Sequence, residues 1–162
     1  PWPGEKGYET WSPDSWKTSG AANCWGGMSL DEKRGVVYLA TGSPAYDFSG
    51  IDRKGDNLFA NCVVALNAGT GKYIWHFQAV HHDLWDYDLP CAPVLASVTH
   101  DGKKRDAVAQ VTKMGLVFLL DRDTGKPLFP NPTVSIGHTF GYPGNQGISA
   151  SSLSVPVDRQ GA

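Results

Sequence analysis

Short apolar and β-branched runs, broken every few positions by glycine, aspartate or asparagine, dominate the first four fifths of the chain. "GVVYLATG" (35–42), "NCVVALNA" (61–68), "KYIWHFQAV" (72–80), "DAVAQV" (106–111) and "GLVFLL" (115–120) are rich in Val, Ile, Tyr and Trp. Each is bounded by Gly, Asp, Asn or Lys turn signals, which predicts strands. "THDGKKR" (99–105) predicts a hairpin with Asp101-Gly102 at its tip. No segment keeps helical periodicity for three turns. The expected class is all-β.

Two stretches repeat in outline. "ALNAGTGKYIWHF" (65–77) and "LLDRDTGKPLF" (119–129) both run apolar strand, Asn or Asp, two residues, Thr-Gly-Lys, two residues, then an aromatic. Thr70 and Thr124 lie 54 residues apart. A repeat of this size built from short strands suggests propeller blades. Asn67 or Asp121 can bond the turn backbone, Gly71 or Gly125 can take positive φ, and Trp75 or Phe129 can wedge against the next blade. The expectation is two or three four-stranded antiparallel sheets arranged radially, one of them over residues 94–129. From residue 131 the chain turns rich in Gly, Ser and Pro and nearly free of charge. The organisation read from sequence is a partial propeller over 1–130 and a loop or tail over 131–162.

Composition narrows the class further. Nineteen glycines, eleven prolines and six tryptophans in 162 residues fit a turn-rich β-protein. Hydrophobic residues make up 41% and charged residues 19%, as in a globular chain. The net charge is −2 with no Lys/Arg block, so no nucleic-acid or anionic-membrane surface is indicated. No apolar run approaches the length of a membrane span, and no signal-peptide pattern occurs. The chain starts with Pro1 and reads as a processed or truncated piece. Cys24, Cys62 and Cys91 are widely spaced, without a C-x-x-C pair, which argues against structural zinc.

The densest chemistry lies in "HHDLWDYDLP" (81–90). On a strand, Asp86 and Asp88 point to one face, where two carboxylates repel unless a cation sits between them. A hard cation such as calcium is the natural partner for such oxygens. His81 and His82 are adjacent, face opposite sides of a strand, and do not form the i, i+4 pair of a helical zinc site. Asp83 could fix one histidine tautomer by accepting its N–H.

Three segments together carry a resemblance. "WSPDSWKTSGAANCWGGMSLDEKRGVVYLATGSPAYDF" (11–48), "LNAGTGKYIW" (66–75) and "HHDLWDYDLP" resemble, in order and spacing, the quinoprotein dehydrogenases that use pyrroloquinoline quinone (PQQ). The likeness covers residues 3 to 130 and is nearest the membrane-type glucose dehydrogenase branch. It implies an eight-bladed propeller with PQQ and a metal near its axis. At roughly 40–50 residues a blade, this chain supplies about three blades at most.

The resemblance also implies roles. Asp86 is the catalytic base that takes the substrate hydroxyl proton. Lys113, 27 residues on, contacts the reactive quinone oxygens and stabilises developing negative charge. Trp25 forms the floor beneath the PQQ ring. Asp86, Asp88 and Ser43 are the implied metal ligands. Asp88 resembles the extra ligand of lanthanide-using alcohol dehydrogenases. Ser43 stands where the alcohol-oxidising branch has asparagine, a departure that offers a shorter-reaching hydroxyl instead of an amide oxygen. The implied cofactors are PQQ with calcium or a lanthanide. The implied partners are a sugar or alcohol substrate and a quinone or cytochrome electron acceptor. The implied place is the periplasm or another extracytoplasmic space, with membrane association only through parts outside this chain.

Two rivals differ in class. A non-catalytic propeller scaffold for protein assembly would not need Trp25, Asp86 and Lys113 together. A zinc hydrolase on His81, His82 and Asp83 lacks a third ligand and a general base at useful spacing.

Overall fold

The computed structural model describes residues 1–129 and the two-residue strand Val134–Ser135. Two antiparallel sheets account for most of the regular structure. Strands β1 (Met28–Asp31), β2 (Val36–Ala40), β3 (Cys62–Asn67) and β4 (Tyr73–Gln78) form the first, in that order. A two-residue strand β5 (Val80–His81) leads out of it. Strands β6 (Val94–His100), β7 (Lys103–Val111) and β8 (Val117–Asp121) form the second. β9 (Val134–Ser135) pairs with β5 in parallel. Open antiparallel sheets of this kind are the expected partial propeller.

The first sheet is covered on both faces at its third strand. Cys62 to Ala65 are all buried, which is why that run is continuously apolar rather than alternating. Val63 and Ala65 join Tyr38, Ala40 and Trp75 on one face, against Val108, Phe118 and Leu120 of the second sheet. Phe77 and Phe118 meet across this interface with ring centres 5.1 Å apart. Cys62 and Val64 face the other way, into a smaller cluster with Leu58. A cavity of about 620 Å³ opens on that side, walled in part by Trp11, Trp16, Phe59 and Tyr73.

The repeat has the turn chemistry its sequence implied. Asn67 Oδ1 accepts from the Gly69 and Thr70 amides and the Thr70 hydroxyl, and Asp121 Oδ1 accepts from Asp123, Thr124 and the Thr124 hydroxyl in the same way. Gly71 and Gly125 both sit at φ 70°. Trp75 lies over the Gly125 turn of the second sheet and donates its indole N–H to Arg122 O at 3.1 Å. A Cβ on Gly125 would stand 2.5 Å from the Trp75 ring. Arg34, unnoticed in the sequence, ties the sheets by bonding Asp31, Asp106 and Asp123.

Gly125→Ala therefore meets both a left-handed backbone and a stiff aromatic wall. The expected cost is about 2–5 kcal/mol, from the φ penalty and overpacking combined. Urea unfolding checks it. In Trp75→Ala protein the same glycine substitution should cost only the backbone part, about 1–2 kcal/mol.

Some expectations need correcting. Within the described residues the second sheet has three strands, not four; beyond its last turn the chain pairs with β8 through an isolated Leu120–Pro127 bridge, where proline brings no N–H, and the Leu128 N–H bond to Leu119 O at 2.8 Å. Phe129 lies against His100 of its own sheet, ring centres 4.6 Å apart, rather than wedging into another. β1 and the 3₁₀ turns Tyr8–Thr10 and Ser15–Lys17 are additions. The hairpin tip stands: Asp101 and Gly102 both have positive φ, as a tight two-residue turn needs. The tail expected over 131–162 lies outside the described residues, apart from β9.

Candidate active site

Four chain segments meet where β1 and β3 begin and β2 and β4 end. Trp25 precedes β1, Ser43 follows β2, Asp83 to Asp88 follow β5, and Lys113 sits in the tight turn after β7. That turn is closed by the Gly115 amide on Thr112 O, with Gly115 at φ 74°. The Lys113 amide donates to Asp88 O at 3.4 Å, which sets the turn beside the aspartate loop.

Lys113 is the centre of the arrangement. Its Nζ lies 2.9 Å from Asp86 Oδ2 and 2.7 Å from Asp88 Oδ2, and 5.9 Å from the Trp25 ring centre. The last distance is within cation–π range. Asp88 is buried and its other oxygen accepts the Ser43 amide at 2.6 Å. Burial pushes the Asp88 carboxyl upward, but the Lys113 ammonium and the Ser43 amide outweigh it and hold the group below its ordinary value. The Asp88 carboxylate in turn raises Lys113, burial opposes this, and Asp86 adds to the rise. Both therefore stay charged at neutral pH. Asp86 is a third exposed and Trp25 shows 53% of its surface. Gly42 permits the close approach, since a Cβ there would stand 2.6 Å from Asp88 Oδ1 and 3.0 Å from Trp25 Nε1.

The structure thus gathers every residue singled out by resemblance: Trp25, Ser43, Asp86, Asp88 and Lys113. The like-charged pair Asp86 and Asp88 shares one cation, and that cation is Lys113. The available donors are all oxygens, from two carboxylates and the Ser43 hydroxyl, which suits a hard cation such as calcium. Among the described residues no three His, Cys, Asp or Glu side chains gather as a metal-holding group. An exposed indole face with an ammonium beside it suits a flat anionic ring.

Sequence reasoning missed the support beneath these groups. Asp83 does not orient a histidine. It is fully buried and bonds Ser43, Asn61 and the amides of Trp85 and Tyr87. His82 faces Gly55 O at 2.8 Å, and His81 lies 3.6 Å from Asp56, so neither joins the site. Buried Arg53 bonds Asn57, Tyr46 O and Asp83 O. All three cysteines are free.

Residues 1–146 match the family described as PQQ, glucose/ethanol/alcohol dehydrogenase, beta-propeller domain. The chain is 42% identical over 110 residues to quinoprotein glucose dehydrogenase A of Acinetobacter calcoaceticus, covering 67% of this chain and 14% of that protein. It is 40% identical over 116 residues to the quinoprotein glucose dehydrogenase of Escherichia coli K12, covering 71% and 15%. Among solved structures, the quinohemoprotein alcohol dehydrogenase of Comamonas testosteroni superposes with a TM-score of 0.70 at 34% identity, over 75% of this chain and 19% of the other. A europium-containing methanol dehydrogenase gives 0.69 at 32%, over 75% and 21%. The chain therefore spans about a seventh to a fifth of these proteins' length.

Proposed function

The chain belongs to the PQQ-dependent glucose/ethanol/alcohol dehydrogenase β-propeller family, and on that premise we propose that it forms one arc of an active site oxidising a sugar or simple alcohol. The observation that carries this reading is the position of Lys113 Nζ, within bonding reach of both Asp86 and Asp88 and beside the exposed face of Trp25. A base, a cation and a stacking surface in one place are what such an oxidation needs. PQQ, when bound, supplies a quinone that accepts the substrate's electrons.

Asp86 is the base. It stays accessible, and a carboxylate oxygen there can take the hydroxyl proton as the alcohol becomes a carbonyl. Lys113 places positive charge beside the acceptor, where negative charge develops. Asp88 holds that ammonium in place from a buried, amide-anchored position. Trp25 provides the floor. Asp86, Asp88 and Ser43 would hold calcium or a lanthanide, with further ligands from other blades. Ser43 donates its one proton to Asp83 at 2.8 Å, which leaves the Oγ lone pairs free to face a cation. In this reading electrons pass to a quinone or cytochrome in the periplasm.

Lys113→Ala tests the reading. In the longer protein, loaded with PQQ and calcium, dye reduction with sugar or alcohol should fall by about 10²–10³-fold. Lys113→Arg should retain more activity, because the charge remains. Unchanged turnover in the alanine variant defeats the reading.

A further inference from the structure

The loop carrying Asp86 is folded around a second carboxylate. Asp83 is fully buried. Its Oδ2 accepts from the Tyr87 amide at 2.7 Å, the Ser43 hydroxyl at 2.8 Å and Asn61 Nδ2 at 2.8 Å. Its Oδ1 accepts the Trp85 amide at 2.9 Å. Its backbone carbonyl accepts from Arg53, which is itself buried and bonded to Asn57 Oδ1 at 2.8 Å. A buried carboxylate is tolerated only when its lone pairs are met by donors, and here four donors meet them.

The two amides are those of the residues on either side of Asp86. Asp86 itself sits at φ 56°, in the left-handed region that a non-glycine residue occupies only when its surroundings hold it there. The Tyr87 amide lies in the peptide plane directly after Asp86 and the Trp85 amide in the plane one residue further back, so anchoring both constrains the backbone at residue 86. It thereby fixes the direction in which the Asp86 side chain leaves, toward Lys113 at 2.9 Å. The same carboxylate draws the Ser43 hydroxyl to itself, leaving Ser43 Oγ 3.5 Å from Asp86 Oδ1. Asp83 and Asn61 bond the loop rather than Lys113 or Trp25: Asp83 holds Ser43 and the Trp85 and Tyr87 amides, and Asn61 also bonds Tyr87 O.

We propose that Asp83 is a positioning residue, whose buried carboxylate sets the left-handed turn at Asp86 and so aims the base. This rests on the reading of Asp86 as base. Asparagine at position 83 keeps the size, but its amide N–H₂ would face donors on one side of the site. The peptide planes around residue 86 should then rotate.

The test uses the longer PQQ-loaded protein. Asp83→Asn should lower kcat by about 10²-fold, the loss expected when a reacting group is misplaced by about 1 Å. KM and PQQ stoichiometry should stay close to wild type, and a crystal structure of the variant should show residue 86 out of the left-handed region. Wild-type kcat, or residue 86 still near φ 56° despite a lost rate, overturns the proposal. If Asp83→Asn does not fold, Asn61→Ala removes one of the four donors; a folded Asn61→Ala protein should lose about 10-fold in kcat with KM kept, and unchanged kcat overturns the proposal there. Asp86→Asn run alongside separates the two claims. If that variant keeps full turnover, the base assignment fails; if it is dead while Asp83→Asn is fully active, only the positioning role fails.

Discussion

Asp86→Asn in the longer protein is expected to cut turnover by about 10²–10⁴-fold, the range that a positioned proton acceptor contributes, while PQQ stays bound. The reason lies in what the substitution keeps and what it removes. Asparagine has nearly the same shape, and asparagine is among the residues that best tolerate a left-handed backbone, so the φ of 56° at this position is no obstacle. The Trp85 and Tyr87 amides remain anchored on Asp83, and Lys113 keeps its bond to Asp88. Lost is a basic oxygen able to take the hydroxyl proton. The loss should therefore fall on kcat. Turnover measured by dye reduction, with PQQ content measured by absorbance in the same samples, checks both halves. Full turnover in this variant refutes the base assignment.

The 162-residue chain by itself is expected to show no PQQ-dependent dehydrogenase activity, to bind PQQ poorly and to self-associate. On the proposed reading its arc offers one stacking face, one base and one lysine, and a site shared around a ring would draw its opposite wall and further ligands from other blades. Packing points the same way. On β6–β8 one face is buried against the first sheet through Val108, Phe118 and Leu120. On the other face Val94, Val111 and Val117 are 59%, 45% and 53% exposed, a row of apolar side chains that water does not favour. Adding PQQ and calcium, then glucose or simple alcohols with an artificial electron acceptor, tests activity. Sedimentation tests association. Robust turnover by a monomer would mean that the site is not shared around a ring.

How much of this was readable in the chain depends on the range of the interactions. The Asn67–Lys72 and Asp121–Lys126 turns were legible because each closes within six residues through its own side chain and glycine. The strands that pack on both faces, such as Cys62–Asn67, announced themselves as apolar runs. β1 did not, because "MSLD" alternates over only four residues and is held by pairing with β2. Nor did the weak pairing after the second repeat, where among the described residues Pro127, with no N–H to give, pairs Leu120 only as an isolated bridge.

At the site, resemblance supplied Trp25, Ser43, Asp86, Asp88 and Lys113, but not what supports them. Asp83 acts on Ser43 across 40 positions and on Asn61 across 22, and no local pattern encodes such contacts. Its nearest sequence neighbours, His81 and His82, suggested a histidine partner instead. The geometry sends those rings to Asp56 and Gly55. The pairing of Asp86 and Asp88 through Lys113 was half visible: two carboxylates at i, i+2 demand a cation, and the fold supplies one from 25 residues beyond Asp88.

The claim on which the rest depends is that Trp25, Asp86 and Lys113 form one face of a PQQ site. A crystal structure of the longer protein with PQQ and calcium measures this directly. The account predicts the PQQ ring stacked on the Trp25 indole, Lys113 Nζ within hydrogen-bond reach of the quinone oxygens, and the Asp86 carboxylate beside the same end of the ring. A PQQ ring resting on another aromatic, with Asp86 and Lys113 out of its reach, would contradict it.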